Sequence, residues 1–199
     1  KIPAMGLLFP NYTPDSIFSL GTMFDKTDIF EEDVLNHLIT VKAMQNFGCL
    51  GYKTGENKYS YAELTPDKVD ALFNVLKTMA GYVFVDCTDE ENDLISKFAL
   101  REANEIVLVI SPDLKSMVYL ASNEMEFGTK AESALRILNV TENDLYSPID
   151  DVRGVAKNIG YVLPYSKQIR GQHLDGLLYE RAKDKKYRRE LEKIIKKIM

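Results

Sequence analysis

Two short apolar runs constrain the fold of this chain more than any other feature. Residues 82–85 (Tyr-Val-Phe-Val) and 106–110 (Ile-Val-Leu-Val-Ile) contain no charged residue and do not alternate with polar ones. Such runs predict strands that are buried on both faces, as in a parallel sheet flanked by helices. Between them, residues 94–103 have the apolar spacing of an amphipathic helix, which suits a parallel crossover. The sequence therefore predicts a βαβ unit whose first strand is residues 82–85.

The rest of the chain continues this alternation of helices and strands. Residues 134–138 and 161–163 predict two further strands, and Thr65-Pro66-Asp67 has the composition of a helix start. Less regular predictions are a short strand over residues 2–9, a helix over 16–23 capped by Asp15, and helices over 30–38, 114–127 and from Arg181 onward. We therefore expect one α/β domain over residues 1–199, with three layers: a mostly parallel sheet and helices on both of its faces.

Composition places the chain among ordinary globular proteins. Apolar residues make up 45 % and charged residues 28 %, which is usual for a soluble domain. No apolar run approaches the roughly 20 residues that span a bilayer, and the first residues do not resemble a secretion signal. Cys49 and Cys87 are too few for a disulfide framework. We expect a cytoplasmic protein.

The net charge of −5 conceals a basic C-terminal segment. Residues 181–199 contain nine Lys or Arg and three Asp or Glu, so the remainder of the chain is strongly acidic. An acidic body argues against nucleic-acid binding by the whole domain. The basic segment has two interpretations: an amphipathic helix on an anionic membrane surface, or a last helix that packs its apolar stripe on the sheet with lysines in solvent.

Polar residues that follow the predicted strands are the candidate site residues, because parallel sheets bind ligands at the carboxyl ends of their strands. Asp86 follows residues 82–85 and has the position of a carboxylate aimed at Mg²⁺ beside phosphates; the alternative is that it caps a turn. Asn139 follows residues 137–138, and its amide suits either a base edge or a turn. The acidic residues 89–93 suit either a cation or the start of the next helix.

Other familiar motifs are absent from the sequence. Residues 51–55 (Gly-Tyr-Lys-Thr-Gly) lack the glycines that a phosphate-binding loop needs before its lysine. His37 and His173 have no ligand partners at zinc spacing. Cys87 has no histidine near it in sequence to activate it as a nucleophile.

The order of four segments resembles the centre of ParA/MinD-type P-loop ATPases of the SIMIBI class. These segments are 82–88 with Asp86, 103–116 (Ala-Asn-Glu-Ile-Val-Leu-Val-Ile-Ser-Pro-Asp-Leu-Lys-Ser), 137–139 (Ile-Leu-Asn) and 161–165 (Tyr-Val-Leu-Pro-Tyr). The resemblance covers residues 65–178 and implies a P-loop NTPase-like fold. It implies that Asp86 acts in a Mg²⁺ site, that Asn139 contacts adenine, and that Pro164 and Tyr165 lie beside the base. It assigns no catalytic residue.

The resemblance also implies ATP and Mg²⁺ as ligands and a homodimer that controls a protein, DNA or membrane partner in the manner of bacterial ParA and MinD. The family's Gly-Gly-x-Gly-Lys-Thr loop is not in the sequence, and we expect either that the segment that carries it lies upstream or that another segment fills its place in the sheet. With that segment, the resemblance implies an ATPase. The alternative function is a non-catalytic domain of the same fold that serves as a binding or scaffolding module.

Overall fold

A computed structural model describes residues 19–40, 44–57, 59–61, 63–88, 92–123, 133–142 and 149–199. The chain groups into two compact units. The first comprises Lys1–Glu102 and Asp175–Tyr179, and the second comprises Ala103–Leu174 and Glu180–Met199. The single domain expected from the sequence stays a prediction.

The first unit is mainly helical where it is described. Its elements are α1 (Leu20–Phe24), α2 (Glu31–His37), β1 (Ile39–Thr40), β2 (Gly48–Cys49), α3 (Pro66–Met79) and α4 (Leu94–Glu102). β1 and β2 form an antiparallel pair. The sequence interpretation of α3 is confirmed: Thr65 has the extended backbone of an N-cap residue and Pro66 opens the helix, as its fixed φ allows.

Two apolar clusters stabilise this unit. The first centres on Met23 and Val34, which are fully buried, and α3 contributes Leu72 to it. The second joins α3 to α4 through Val69, Phe73 and other apolar residues. Within it, the rings of Phe73 and Phe98 lie 4.8 Å apart, in the range of favourable aromatic pairs. The amphipathic helix predicted over residues 94–103 therefore packs its apolar face against α3.

The strand predicted at residues 82–85 is wrong. The structure has no strand there, and Phe84 is 75 % exposed, with Tyr82 and Val83 also exposed. Only Val85 reaches a core, the cluster shared by α3 and α4. A strand needs a neighbour to satisfy its backbone N–H and C=O groups, and no described strand pairs with this segment. The βαβ unit predicted from residues 82–85 to 106–110 is consequently also not formed.

The second unit contains the predicted α/β pattern. Its elements are β3 (Val107–Ile110), α5 (Leu114–Asn123), β4 (Leu135–Asn139), α6 (Ile149–Val155), β5 (Ile159–Leu163), α7 (Lys167–Leu174) and α8 (Lys185–Ile198). The strands form a parallel sheet in the order β3-β4-β5. All three strands were predicted to within two residues, because their apolar runs are short and bounded by polar residues or proline.

Side chains of this sheet pack against helices in two separate clusters. Ile110 and Leu138 pack with Val152 and Ala156 of the α6 region, together with residues of α5. Ile137 and Leu163 pack with Ile194 of α8. Because successive side chains of a strand point to opposite faces, Ile137 and Leu138 place the two clusters on opposite faces of β4.

Some sequence predictions fall at the limits of the described residues. The strand over 2–9, the N-terminal part of the helix over 16–23 and the end of the helix over 114–127 lie outside them. The first helix begins at Leu20, and Ser19 rather than Asp15 is its N-cap, accepting a hydrogen bond from the Gly21 N–H. The C-terminal helix begins at Lys185, where Asp184 caps it.

Candidate functional site

The carboxyl ends of β4 and β5 bring together three residues that the sequence singled out. Asn139 and Leu163 are Cα partners in the parallel register, and the Val140 N–H donates to the Leu163 carbonyl at 2.9 Å. Pro164 and Tyr165 follow Leu163 directly. Asn139 and the start of the loop after β5 are therefore neighbours on one edge of the sheet. Their side chains are only half-buried, so this edge is accessible to a ligand.

Ser166 closes this loop and begins the next helix. It is buried, and its hydroxyl oxygen accepts from the Ile169 N–H at 3.4 Å, while its carbonyl accepts the Arg170 N–H at 3.0 Å. These are the contacts of an N-cap. The loop from Pro164 to Ser166 is therefore fixed at both ends, by β5 on one side and by α7 on the other.

Residues 180–184, which we call the strap, lie along α7. The Gln168 side-chain oxygen accepts from the N–H groups of Lys183 and Asp184 at 2.8 and 2.9 Å. The Gln172 amide nitrogen donates to the Glu180 carbonyl at 3.4 Å. Because residues four apart share one face of a helix, Gln168 and Gln172 hold the strap along a single side of α7.

Asp184 connects the strap to both helices. Its carboxylate accepts from the backbone N–H groups of Lys186 and Tyr187 at 3.0 and 3.2 Å, which caps α8. The Ser166 hydroxyl, followed by these backbone N–H groups, holds the pKa of Asp184 below its usual value. Asp184 thus caps α8 with its carboxylate and bonds to Gln168 of α7 through its backbone N–H.

The residues that follow β3 cap the start of the next helix, α5. The Asp113 carboxylate accepts from the Ser116 N–H at 2.7 Å, which satisfies one of the unpaired donors at the start of α5. Residues 111–113 therefore form the start of α5.

Asp86 lies in the first unit and is exposed. Residues 82–85 do not form the strand that was predicted to direct the Asp86 carboxylate toward a metal ion. The role of Asp86 at a metal therefore stays a prediction. Within the described part of the chain, no group of three or more His, Cys, Asp or Glu is arranged to hold a metal ion.

The acidic segment after Asp86 is described only at its end. Asp93 is buried, and its carboxylate accepts from the N–H and the hydroxyl of Ser96 at 3.0 and 2.5 Å. Ser96 in turn accepts from the Thr88 N–H at 2.9 Å. The capping interpretation is therefore confirmed at Asp93, whereas residues 89–91 lie outside the described residues.

Cys87 does not have the environment of a nucleophile. Desolvation raises the pKa of its thiol, and the carboxylates of Asp86 and Asp93 raise it further. A raised pKa keeps the sulfur protonated at neutral pH, whereas the thiolate is the reactive form.

Sequence inspection did not single out Ser166, Gln168 or Asp184. An Asp directly before a stretch with helical apolar spacing is an N-cap signal, so Asp184 was detectable as a cap. Its contact with Gln168 was not, because 16 positions separate them in the chain. The glutamines carry no sequence signal, since glutamine is a common residue in helices.

Comparisons with known proteins assign no family to this chain: no family model matches it, and no curated protein matches it. Among the helices of the described residues, none has the length and apolar character needed to cross a membrane.

Proposed function

We propose that this chain is a ParA/MinD-like nucleotide-binding switch protein with a three-layer, P-loop NTPase-like α/β fold. The adenine base of ATP binds at the carboxyl edge of β4 and β5. Asn139 offers the base a donor and an acceptor through its amide, and the Tyr165 ring, next to Pro164, stacks beside it. Nucleotide binding then controls dimerisation and a partner.

One observation carries this proposal: the parallel register places Asn139 opposite Leu163, the residue before Pro164 and Tyr165. Ligands of parallel α/β sheets bind at this end of the strands. The side chains of Asn139 and Tyr165 are half-buried there, so a ligand can reach them. The donor set therefore fits a planar heterocycle that presents hydrogen-bonding edges and an apolar face.

The phosphates and Mg²⁺ need residues beyond this edge. Mg²⁺ supplies neutralisation of the charge on the β- and γ-phosphate oxygens, and Asp86 is the residue that we propose for its site. ATP hydrolysis by this family requires the Gly-Gly-x-Gly-Lys-Thr loop, so we assign ATPase activity only to a protein that also contains that loop.

Helix α8 supports an electrostatic contact with an anionic partner such as DNA. Its apolar side packs into the sheet through Leu191, Ile194 and Ile198, so that side is not available for insertion into a bilayer. The exposed basic residues of the helix are Lys185, Lys186, Arg189, Lys193, Lys196 and Lys197. Lysine and arginine attract phosphates without a need for sequence readout.

Calorimetric titration of Mg-ATP into the chain tests the nucleotide site. We expect measurable binding that is weakened at least tenfold by Asn139→Ala or Tyr165→Ala, because each removes a contact to the base. Asn74→Ala is the matched control, since Asn74 is an exposed amide on α3 whose described contact is Asp70. Equal affinity in all variants would contradict the assignment of this edge.

Asp86→Ala in the same titration tests the metal site. Weakened Mg-ATP binding with unchanged adenosine binding is expected if Asp86 acts on the metal, because adenosine carries no phosphate. A loss that is equal for both ligands would remove Asp86 from the metal site.

The alternative, a non-catalytic module, is favoured by the exposure of Tyr82, Val83 and Phe84 beside Asp86. Exposed apolar residues in a row are typical of protein contact surfaces. Absence of any heat with millimolar nucleotide, together with an intact fold, would support this function over the nucleotide switch.

A further inference from the structure

We infer that one edge of β3 is a dimer interface, at which a second copy of this chain adds its own β3 in the antiparallel direction. The backbone groups of β3 that face away from β4 form this edge, which we call the outer edge. The interface needs no nucleotide, so this inference goes beyond the proposed function and does not depend on it.

The hydrogen bonds of the sheet show which backbone groups form the outer edge. The Leu135 N–H donates to the Ile106 carbonyl at 2.8 Å, and Leu135 is the Cα partner of Val107. Successive residues of a strand direct their backbone groups to opposite sides, so every second residue bonds to the same neighbour. Leu108 therefore bonds to β4, whereas the N–H and C=O groups of Val107 and Val109 face away from it. Among the described residues, no strand pairs with these groups.

β3 lacks the features that keep an edge strand from pairing. Its residues are all apolar, with no proline and no charged side chain, and its register with β4 is regular. Natural sheets protect exposed edges with lysine, proline, bulges or a covering element. Val109 is 63 % exposed, so no element covers the middle of the strand. The outer edge is therefore a template for another strand.

The outer edge is complementary to itself about a two-fold axis through Leu108. In an antiparallel pair, opposite residues at every second position exchange both of their backbone hydrogen bonds. When Leu108 lies opposite Leu108 of the second copy, Val107 lies opposite Val109 and Val109 lies opposite Val107. All of the outward N–H and C=O groups of these valines are then satisfied in one isologous interface.

The same register matches apolar side chains with one another. Val107 packs in the cluster that joins the sheet to α8, and Val109 points to the same face, because residues two apart in a strand share a face. Pairing covers the exposed Val109 with Val107 of the second copy, at the margin of that cluster. Ile106 and Ile110 lie opposite each other at the two ends. Apolar cross-strand pairs of this kind stabilise a sheet.

Charge disfavours the two neighbouring registers that would also pair the outward groups. An axis through Val109 would bring Glu105 toward Asp113 of the second copy, and like charges placed opposite each other are destabilising. An axis through Val107 would place the Glu105 carboxylate against the apolar Val109. The register described above brings Glu105 to the uncharged Ser111. The residues in and around β3 therefore select a second copy in one register.

Sedimentation velocity of the full chain over a concentration series, without nucleotide, tests the association. We expect a monomer–dimer equilibrium in the wild type. Val109→Lys should raise the dimer Kd at least tenfold, because it places a charged side chain against Val107 of the second copy. Val155→Lys is the matched control, since Val155 is an exposed valine on α6, and it should dimerise like the wild type. Circular dichroism checks that both variants fold, as is expected for exposed positions.

Hydrogen exchange of the wild type locates the interface without any variant. The Val107 and Val109 amides face away from β4, so a second copy must supply their acceptors. Their exchange should slow about tenfold between a mostly monomeric and a mostly dimeric sample. The Leu108 amide, which bonds to β4 in each copy, should change much less. A dimer through another surface would leave the Val107 and Val109 amides unchanged.

Disulfide trapping tests the register. Leu108→Cys places two thiols across the two-fold axis in a non-hydrogen-bonded pair, whose Cα atoms lie about 4.5 Å apart, a separation that a disulfide can span. We expect oxidised Leu108→Cys to form a covalent dimer. Glu105→Cys should form none, because residue 105 lies far from its own copy across the axis. The native Cys49 and Cys87 are common to both variants and give the same background.

The outcomes separate this interface from the proposed function. A wild type that stays monomeric would overturn the second copy as the occupant and leave the outer edge to a strand of another protein. Equal dimerisation of wild type and Val109→Lys, or unchanged exchange at Val107 and Val109, would also overturn the interface. So would association that needs Mg-ATP, although that result would support the nucleotide switch. A dimer with the expected exchange in a chain that binds no nucleotide would confirm the interface and overturn the proposed function.

Discussion

Carboxylates at helix starts organise the polar contacts of individual residues in both units. Asp33, Asp93, Asp113 and Asp184 each accept backbone N–H groups at or near the first turn of a helix. These N–H groups have no partner within the helix. Acidic residues in this sequence are therefore explained first by capping, which is why the cluster at 89–93 was ambiguous as a cation site.

Asp33 gives a pH prediction. Its hydrogen bond with Lys26, followed by the Phe30 N–H, lowers the pKa of its carboxyl below the usual value. A lowered folded-state pKa contributes stability that is present above the unfolded value of about 4 and is lost as pH falls through the folded value. Asp33→Asn should remove this part of the acid dependence, measured by urea unfolding between neutral pH and the lowered pKa.

Lys26→Met should also reduce the loss of stability at acidic pH, because the hydrogen bond with Lys26 is the largest cause of the lowered pKa of Asp33. Identical acid dependence in wild type and Asp33→Asn would contradict the assignment.

Gly21 gives a packing prediction. A Cβ atom at this position would lie 2.2 Å from the Tyr61 ring, whose hydroxyl is held by the Glu56 carboxylate. Glu56 also accepts from the Ser19 hydroxyl and the Lys53 N–H at 2.6 and 2.7 Å, so the ring has little freedom to move. Gly21→Ala should lower the free energy of unfolding by about 1–3 kcal/mol through overpacking.

Gly154 in α6 is the matched control. A Cβ atom there meets nothing within 4 Å, so Gly154→Ala should be neutral or raise the free energy of unfolding by up to about 1 kcal/mol. Thermal and urea unfolding of both variants measure the difference. Equal effects of the two substitutions would contradict the contact with Tyr61.

At the scale of elements, helix α8 decides between the two interpretations of the basic segment. Ile194 is 3 % exposed and packs with Ile137 and Leu163 of the sheet, whereas the adjacent Ile195 is 43 % exposed. The packing interpretation is therefore confirmed for the apolar stripe. Its spacing predicted an amphipathic helix, but spacing alone does not say whether protein or lipid covers the apolar side.

Ile194→Ala should lower the free energy of unfolding by about 2–5 kcal/mol, because it leaves a cavity between α8 and the sheet. Ile195→Ala should change it by no more than about 0.5 kcal/mol, as is usual for exposed positions. Urea unfolding of the two variants measures the difference in their free energies of unfolding. A small effect of Ile194→Ala would show that α8 does not depend on this contact.

The strands also show which parts of the fold could be predicted from the sequence and which could not. β3, β4 and β5 were predictable because each apolar run pairs with a neighbouring strand. The expected burial on both faces is wrong for β3, where Val109 is 63 % exposed. Residues 82–85 have the same composition but lack a pairing strand among the described residues, and composition does not reveal the neighbour. At the site, Asn139, Pro164 and Tyr165 were identifiable from strand ends, whereas Gln168 and Asp184 meet only through the tertiary fold.

For the whole molecule, charge is distributed unevenly along the chain. The net charge is −5 although residues 181–199 carry nine basic and three acidic residues. The acidic remainder repels polyanions, so we assign the proposed contact with DNA to the exposed lysines of α8.

Substitution of Lys196 and Lys197 by Glu should therefore weaken binding of double-stranded DNA. The salt dependence of binding should fall by roughly 0.9 in log–log slope for each phosphate that the variant no longer neutralises. Lys97→Glu, an exposed change on α4 in the first unit, should have little effect. Fluorescence anisotropy across a salt series measures both. Equal losses of affinity for the α8 and α4 variants would point to general charge rather than this helix.

The position of α8 after all three strands has a consequence for the protein during synthesis. Helices α5 and α6 are made between the strands and can cover one side of the sheet as it forms. Among the described residues, the helix that covers Ile137 and Leu163 is α8, the last of these elements to be made. We therefore expect the nascent chain to pass through a stage with a half-covered sheet, the type of species that chaperones hold and that aggregates when they are scarce.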